Sequence, residues 1–247
     1  MDFDGDQPRF GRRSGIERND PFLETMHGRT VSCEVQQEQK DRLTFCFDSC
    51  GWLYLYHFGV AQWIQDHMLP EDLNPTNAVS NLYPEGLAFS GSSGGSLVAG
   101  ALAMGIKVQD VVEPLLAMQP TLMYRPWLML KAVEDMLRMM LPENAAASMS
   151  GRVRILLSRI SGKPPFLTGE VVDQFDNKDE VFHTLRASCH VPGLRVFPYS
   201  FRQRLYFDGL MWSSLLVPWC GADDSHIVKV SATSLPLGDI RAPLHPL

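Results

Sequence analysis

Gly86-Leu87-Ala88-Phe89-Ser90-Gly91-Ser92-Ser93-Gly94-Gly95-Ser96-Leu97-Val98-Ala99-Gly100-Ala101-Leu102-Ala103-Met104 is the stretch that decides the fold. Gly86 to Phe89 is a short apolar run that suits a buried strand, and Leu97 to Met104 is a run of small and apolar residues that suits a closely packed helix. Between them, Gly91-Ser92-Ser93-Gly94-Gly95 fits G-x-S-x-G, in which a strand turns sharply into a helix and leaves a serine hydroxyl exposed at the bend. Side chains flanking such a bend would collide, which explains glycine at Gly91, Gly94 and Gly95. Ser93 is therefore the candidate nucleophile, and the positive end of the following helix points at it. Ser92 and Ser96 are the alternatives, without the flanking glycines. A Gly/Ser-rich turn with no chemistry is the plain structural reading.

Outward from this bend, strand and helix patterns alternate. Leu43 to Phe47 reads as a buried strand, followed by a tight turn at Gly51 and a helix from about Tyr56 to Met68, ahead of Pro70. Downstream, helices are expected over Val108–Met118, Leu128–Leu141 and Lys178–Ser188, and strands over Arg152–Ile160, Glu170–Phe175, Leu205–Phe207 and Ile227–Val230. Lys131, Glu134, Asp135 and Arg138 form one polar stripe on the second of these helices. Such alternation implies an α/β fold with a largely parallel sheet covered on both faces. Residues 1–40 mix Asp, Arg, Gly and Pro without periodicity and read as a loosely ordered extension, with the folded domain over 41–247. The Pro-rich tail after Leu235 stops without a terminating element, the pattern expected of a fragment.

Composition narrows the class. A chain of 247 residues, 45% hydrophobic, can bury one sizeable α/β core. Its net charge of −6 argues against nucleic acid as a partner. Five cysteines without CxxC or metal-like spacing fit reduced thiols in a cytoplasmic setting. No run reaches the roughly 18–20 apolar residues of a membrane span. The amino-terminal region lacks the apolar core of a secretory signal, and Asp2, Asp4 and Asp6 argue against a transit peptide.

Ser93 needs a base. A Ser-Asp-His arrangement could use His226 or His245, but it would place several strands ahead of the bend, where one is legible. A Ser-Asp pair would use Asp208, which with Gly209 ends the strand Leu205-Tyr206-Phe207; a parallel strand there would deliver it to the carboxyl edge of the sheet. A turn-forming Asp-Gly is the plain alternative. His57, His67, His183 and His190 read as surface or packing residues.

Four segments then act together: Phe47-Asp48-Ser49-Cys50-Gly51-Trp52-Leu53-Tyr54-Leu55-Tyr56-His57-Phe58-Gly59-Val60, the bend at Ser93, Leu185-Arg186-Ala187-Ser188-Cys189-His190-Val191-Pro192-Gly193, and Asp208-Gly209. In order and spacing they resemble the patatin-like phospholipase family, in particular its animal-type triacylglycerol lipase branch, from about Leu43 to Pro243. The resemblance implies a patatin-like three-layer α/β/α sandwich, a Ser93–Asp208 dyad without a catalytic histidine, and an oxyanion hole at the amides of Gly51 and Trp52. It further implies carboxylic ester hydrolysis of acylglycerols or phospholipids through an acyl-enzyme, with no metal and no cofactor. Such an enzyme would visit a membrane or lipid-droplet surface from the cytoplasmic side. The chain departs from the family pattern at Ser49 and Tyr54, where the glycine loop has glycine, and at Leu210 and Ser213-Ser214, after Asp-Gly. Those departures motivate an alternative, a weak or inactive lipid-surface scaffold of the same fold. Met118 to Leu130, rich in Met and carrying Trp127, is a candidate apolar rim for docking on lipid, with packing against the core as the plain alternative.

Overall fold

Leu-Thr-Phe-Cys-Phe is apolar at nearly every position because the strand it forms is covered on both faces: β1 (Leu43–Phe47) is buried throughout. The structure, a computed structural model, describes residues 42–69, 86–213, 226–233 and 238–242. The expected loose extension over 1–40, Pro70 and the tail beyond residue 242 lie outside the described residues.

In chain order the elements are β1, α1 (Tyr54–Met68), β2 (Leu87–Ser92), α2 (Gly94–Ala103), α3 (Val108–Tyr124), α4 (Met129–Met140), α5 (Ala145–Met149), β3 (Val153–Ile160), β4 (Leu167–Val172), α6 (Lys178–Ser188), β5 (Tyr199–Phe201), β6 (Arg204–Phe207), α7 (Leu210–Ser213), β7 (His226–Ser231) and β8 (Ile240–Arg241). β3, β2, β1, β7 and β8 lie side by side and parallel. β4 and β6 both run antiparallel to β3, and β5 antiparallel to β6. The sheet is mixed but mostly parallel with flanking helices, an α/β sandwich.

Register explains how three strands use the two edges of β3. β4 occupies one edge from Ile155 to Ile160. β2, paired with residues up to Leu156, and β6, paired from Ser158 onward, must therefore share the other edge. They run toward each other along it. The eight-residue β3 outlasts the six-residue β2, and the hairpin β5–β6 fills the remainder.

The alternation of β1 and β3 splits the interior. Phe45, Phe47, Ile155 and Leu157 face the main core with residues of α1 to α6, while Cys46 and Leu156 face the opposite side with Trp212 of α7. Among the described residues that second face carries just α7.

Several expectations shift. α1 begins at Tyr54, because the turn at Gly51–Leu53 feeds it directly. β4 is Leu167–Val172 rather than Glu170–Phe175, since its partner β3 extends to Ile160. α3 continues past Met118 to Tyr124 through Pro114 and Pro120. Interior proline costs a helix roughly 3 kcal/mol; burial of Val111 and Leu122 and packing of Leu115 and Met118 on the core offset that cost. The polar stripe of α4 is present, with Lys131–Asp135 at 2.9 Å and Arg138–Glu134 at 3.1 Å. Cys50 and Cys189 are buried free thiols.

Candidate active site

Ser93 stands between β2 and α2 with φ 54° and ψ −130°, a backbone conformation that costs a non-glycine residue about 1–3 kcal/mol. Its neighbours impose that bend. A Cβ on Gly95 would overlap the carbonyl oxygens of Phe47 and Asp48, and one on Gly91 would overlap the backbone of Gly95 and Ser96. A Cβ on Gly94 would sit 2.5 Å from Cys50 Sγ. α2 can thus press against the end of β1 and leave Ser93 at its positive end.

Ser93 Oγ donates to Asp208 Oδ2 at 2.6 Å. Both groups are buried, and Leu210 N–H donates to the other carboxylate oxygen at 2.8 Å. Asp208 arrives differently from expectation. β6 is antiparallel, not parallel, and carries the carboxylate down the edge of β3 toward the rising end of β2. Gly209 allows the meeting, because a Cβ there would overlap Leu156 O and lie 2.9 Å from Ser92 Cβ. Burial raises the pKa of Asp208 from 3.8 to about 6, against the lowering effect of its bonds from Ser93 and Leu210.

The seam between the two strands is closed by Ser188, at the end of α6. Its Oγ accepts from Ser93 N–H at 3.0 Å and donates to Leu156 O at 2.8 Å, while its carbonyl accepts from Gly209 N–H at 3.1 Å. Asp208 N–H bonds to the carbonyl of His190 at 2.9 Å. Sequence reasoning quoted Ser188 within a motif but gave it no task. Its partners lie 95 and 32 residues away, and no local signal points to them.

Gly51, at φ 49°, and Trp52 line one cavity with Ser93. Leu53 N–H closes their turn onto Cys50 O at 2.8 Å, and the N–H groups of Gly51 and Trp52, at the start of a helical segment, have no acceptor among the described residues. The departure at Ser49 has its own partner: Ser49 and Ser92 share a hydroxyl–hydroxyl hydrogen bond of 2.6 Å that joins this turn to the nucleophile strand. Tyr54 lines the cavity too, with a buried hydroxyl that has no partner among the described residues. Ser96 Oγ donates to Ser93 O at 2.6 Å. Neither Ser92 nor Ser96 lines the cavity.

The cavity, about 130 Å³, is lined by Ser93 and has otherwise almost wholly apolar walls from α1, α2, α3, α4 and α6. His226 is far from it. Its register with Leu43, and of Leu43 with Leu87, puts it six residues below Ser93, about 20 Å along the sheet at ~3.3 Å per residue. His245 lies outside the described residues. His190 accepts from Arg186 at Nδ1 (3.1 Å), which places its proton on Nε2, donating to Phe197 O at 2.9 Å. His57 is buried against Phe47, and burial lowers its pKa to about 4. Among the described residues no group of three or more His, Cys, Asp and Glu side chains could hold a metal ion, and no helix is long and apolar enough to cross a membrane.

Two curated proteins resemble the chain. It is 28% identical over 176 residues to 1-acylglycerol-3-phosphate O-acyltransferase Pnpla3 of Mus musculus, covering 68% of this chain and 39% of that protein. It is 27% identical over 171 residues to 1-acylglycerol-3-phosphate O-acyltransferase PNPLA3 of Homo sapiens, covering 66% of this chain and 32% of that one. The match thus spans 32% to 39% of these relatives' length. The patatin-like phospholipase family model matches residues 45–217, from β1 through the glycine bend to beyond Asp208, and with the architecture and the buried serine–aspartate pair this makes the chain a member of the patatin-like phospholipase family.

Proposed function

We propose that the protein is a serine lipid acyl hydrolase acting on acylglycerols or phospholipids, with Ser93 as nucleophile and Asp208 as its base. The observation that carries this reading is the 2.6 Å bond from Ser93 Oγ, which lines an apolar cavity, to Asp208 Oδ2. With a pKa of about 6, Asp208 is mostly ionised at neutral pH and still basic enough to take a proton. Ser93 Oγ attacks the ester carbonyl as its proton passes to Asp208 Oδ2. The N–H groups of Gly51 and Trp52 and the positive end of α2 stabilise the oxyanion. The tetrahedral intermediate then expels the alcohol, which takes the proton from Asp208, and leaves an acyl group on Ser93. Ser93 N–H is committed to Ser188, so it is not among the donors.

The second half-reaction has two outcomes. Water yields a fatty acid; a lipid hydroxyl yields a new ester. The names of the two relatives, both acyltransferases, favour the second reading as a companion activity. The protein would act peripherally on a membrane or lipid-droplet surface. Met123, Tyr124 and Trp127 are exposed, between Leu122 and Met129 of the cavity wall, which supports an apolar rim at the site.

Labelling with a serine-directed phosphonate, followed by a lipid-class screen with and without an acyl acceptor, tests the reading. Labelling lost in Ser93→Ala, with fatty acid or new ester formed by the native chain, supports it. Absent labelling in a folded native chain overturns it in favour of the scaffold.

A further inference from the structure

α2 leaves Ser93 and contributes Gly94, Leu97, Ala101 and, at its C-cap, Met104 to the cavity wall. Successive steps of three, four and three residues keep these positions on one face of the helix, so the void follows the helix axis. At 1.5 Å rise per residue, Ala101 lies about 12 Å and Met104 about 16 Å from Ser93 along that axis. An extended alkyl chain advances about 1.25 Å per methylene, from tetrahedral carbons on ~1.5 Å bonds. Ala101 is then level with about the tenth carbon of an acyl group on Ser93, and Met104 with about the thirteenth.

Ala101 differs from its neighbours on the helix. Val98, Ala99, Leu102 and Ala103 belong to the packed core, whereas Ala101, also buried, borders the void and joins no packed cluster. Ala132 on α4 has the same character. Small side chains at these two points keep the passage open. A larger one would project into empty space rather than force the core apart.

We propose that the cavity is a length gauge for a single extended acyl chain lying along α2, and that Ala101 admits chains longer than about ten carbons. The inference rests on the acyl-hydrolase reading for the end of the cavity at which the carbonyl lies. Away from Ser93, Gly51, Trp52 and Tyr54 its walls exclude a head group, since they offer almost nothing to hydrogen-bond one.

The test is two series on the native chain and on Ala101→Phe. Saturated fatty acids of six to eighteen carbons displace a fluorescent fatty acid, and p-nitrophenyl esters of matching length report kcat/KM. In the native chain, affinity rises about fourfold per methylene, then levels near thirteen carbons. In Ala101→Phe it levels by about nine carbons, and the kcat/KM ratio of the fourteen- to the eight-carbon ester falls by at least about thirtyfold. Ala132→Leu shifts the level in the same direction should Ala101→Phe not fold. Equal native affinity for six and fourteen carbons, or the native plateau retained in a folded variant, overturns the gauge. A plateau in binding without turnover of any ester removes the hydrolase reading and keeps the gauge; turnover without chain-length dependence does the reverse.

Discussion

Replacing Asp208 by Asn should stabilise the protein while disabling it. The amide keeps an oxygen for Leu210 N–H and has the shape of the carboxylate, so the turn survives. What it removes is a buried charge. A carboxyl whose pKa rises from 3.8 unfolded to about 6 folded opposes folding by on the order of 3 kcal/mol once both states are ionised. The sign follows from proton counting. Between those values the folded state holds the proton and the unfolded state does not, so native stability falls as pH rises through the window. The cost is complete above about pH 6 and absent below 3.8. The Asn variant escapes it. At pH 8 its midpoint should exceed the native one by on the order of 6–12 °C, using roughly 2–4 °C per kcal/mol for a chain of this size. At pH 4 the two should nearly coincide. His57, whose pKa burial lowers to about 4, acts in the opposite sense, destabilising the fold as pH falls below 6.5, but it is present in both proteins and cancels in the difference. Paired melts from pH 4 to 8 measure the effect, and phosphonate labelling should slow by about 10²–10⁴-fold in the same variant. A variant less stable than native at pH 8, or one whose advantage is the same at pH 4, refutes the reasoning.

Ser188→Ala leaves Ser93 N–H without its acceptor and Leu156 O without its donor; it should lower stability by about 1–3 kcal/mol and slow labelling at least tenfold, and labelling at the native rate would remove Ser188 from the site's support. Two glycine substitutions on α2 should diverge in denaturant melts. Gly95→Ala should abolish or severely weaken folding, because its methyl meets backbone that cannot yield, whereas Gly100→Ala finds side-chain atoms at 3.6 Å and should gain about 0.5–1 kcal/mol from helix propensity. Met123→Asp with Trp127→Asp should reduce sedimentation with liposomes; a folded double variant that binds as well as native would move the docking surface elsewhere.

The parts of the fold that a local pattern can encode were legible. β1, α6 and the strand–bend–helix at Ser93 lie where apolar runs, glycines and periodicity put them. So was the residue pair: Ser93 and Asp208 do meet. The route by which they meet was not. A strand carries no sign of whether its neighbour runs with or against it, and Leu205–Phe207 reads the same either way. Its direction is set by the two-residue turn Arg202–Gln203, both at positive φ, and by three pairs on β3 formed across a long separation. α5, β5, α7 and β8 are too short, at two to five residues, to show a period at all. Ser188 was hidden for the same reason as the direction of β6: its value lies in partners that only the folded chain supplies.

The end-on meeting of β2 and β6 makes the gap between serine and aspartate a matter of counting along a third strand. Ser92 pairs with Leu156 and Phe207 with Ser158, so one residue, Leu157, separates the two attachment points. β3 contributes none of the reacting atoms, yet its length at this point fixes their spacing. Two residues inserted there would preserve which side chains face inward and outward and leave the pairings with β2 and β6 intact, while β4 on the other edge would have to bulge or slip by two residues past the insertion. They would also draw Ser93 and Asp208 apart by about 6.6 Å, too far for a proton to pass directly. Two removed would drive the strand ends into each other. Chain length at Leu157 is therefore a constraint that alternation of hydrophobic residues cannot reveal, and an insertion there that β4 accommodated would give a folded protein with a disconnected site.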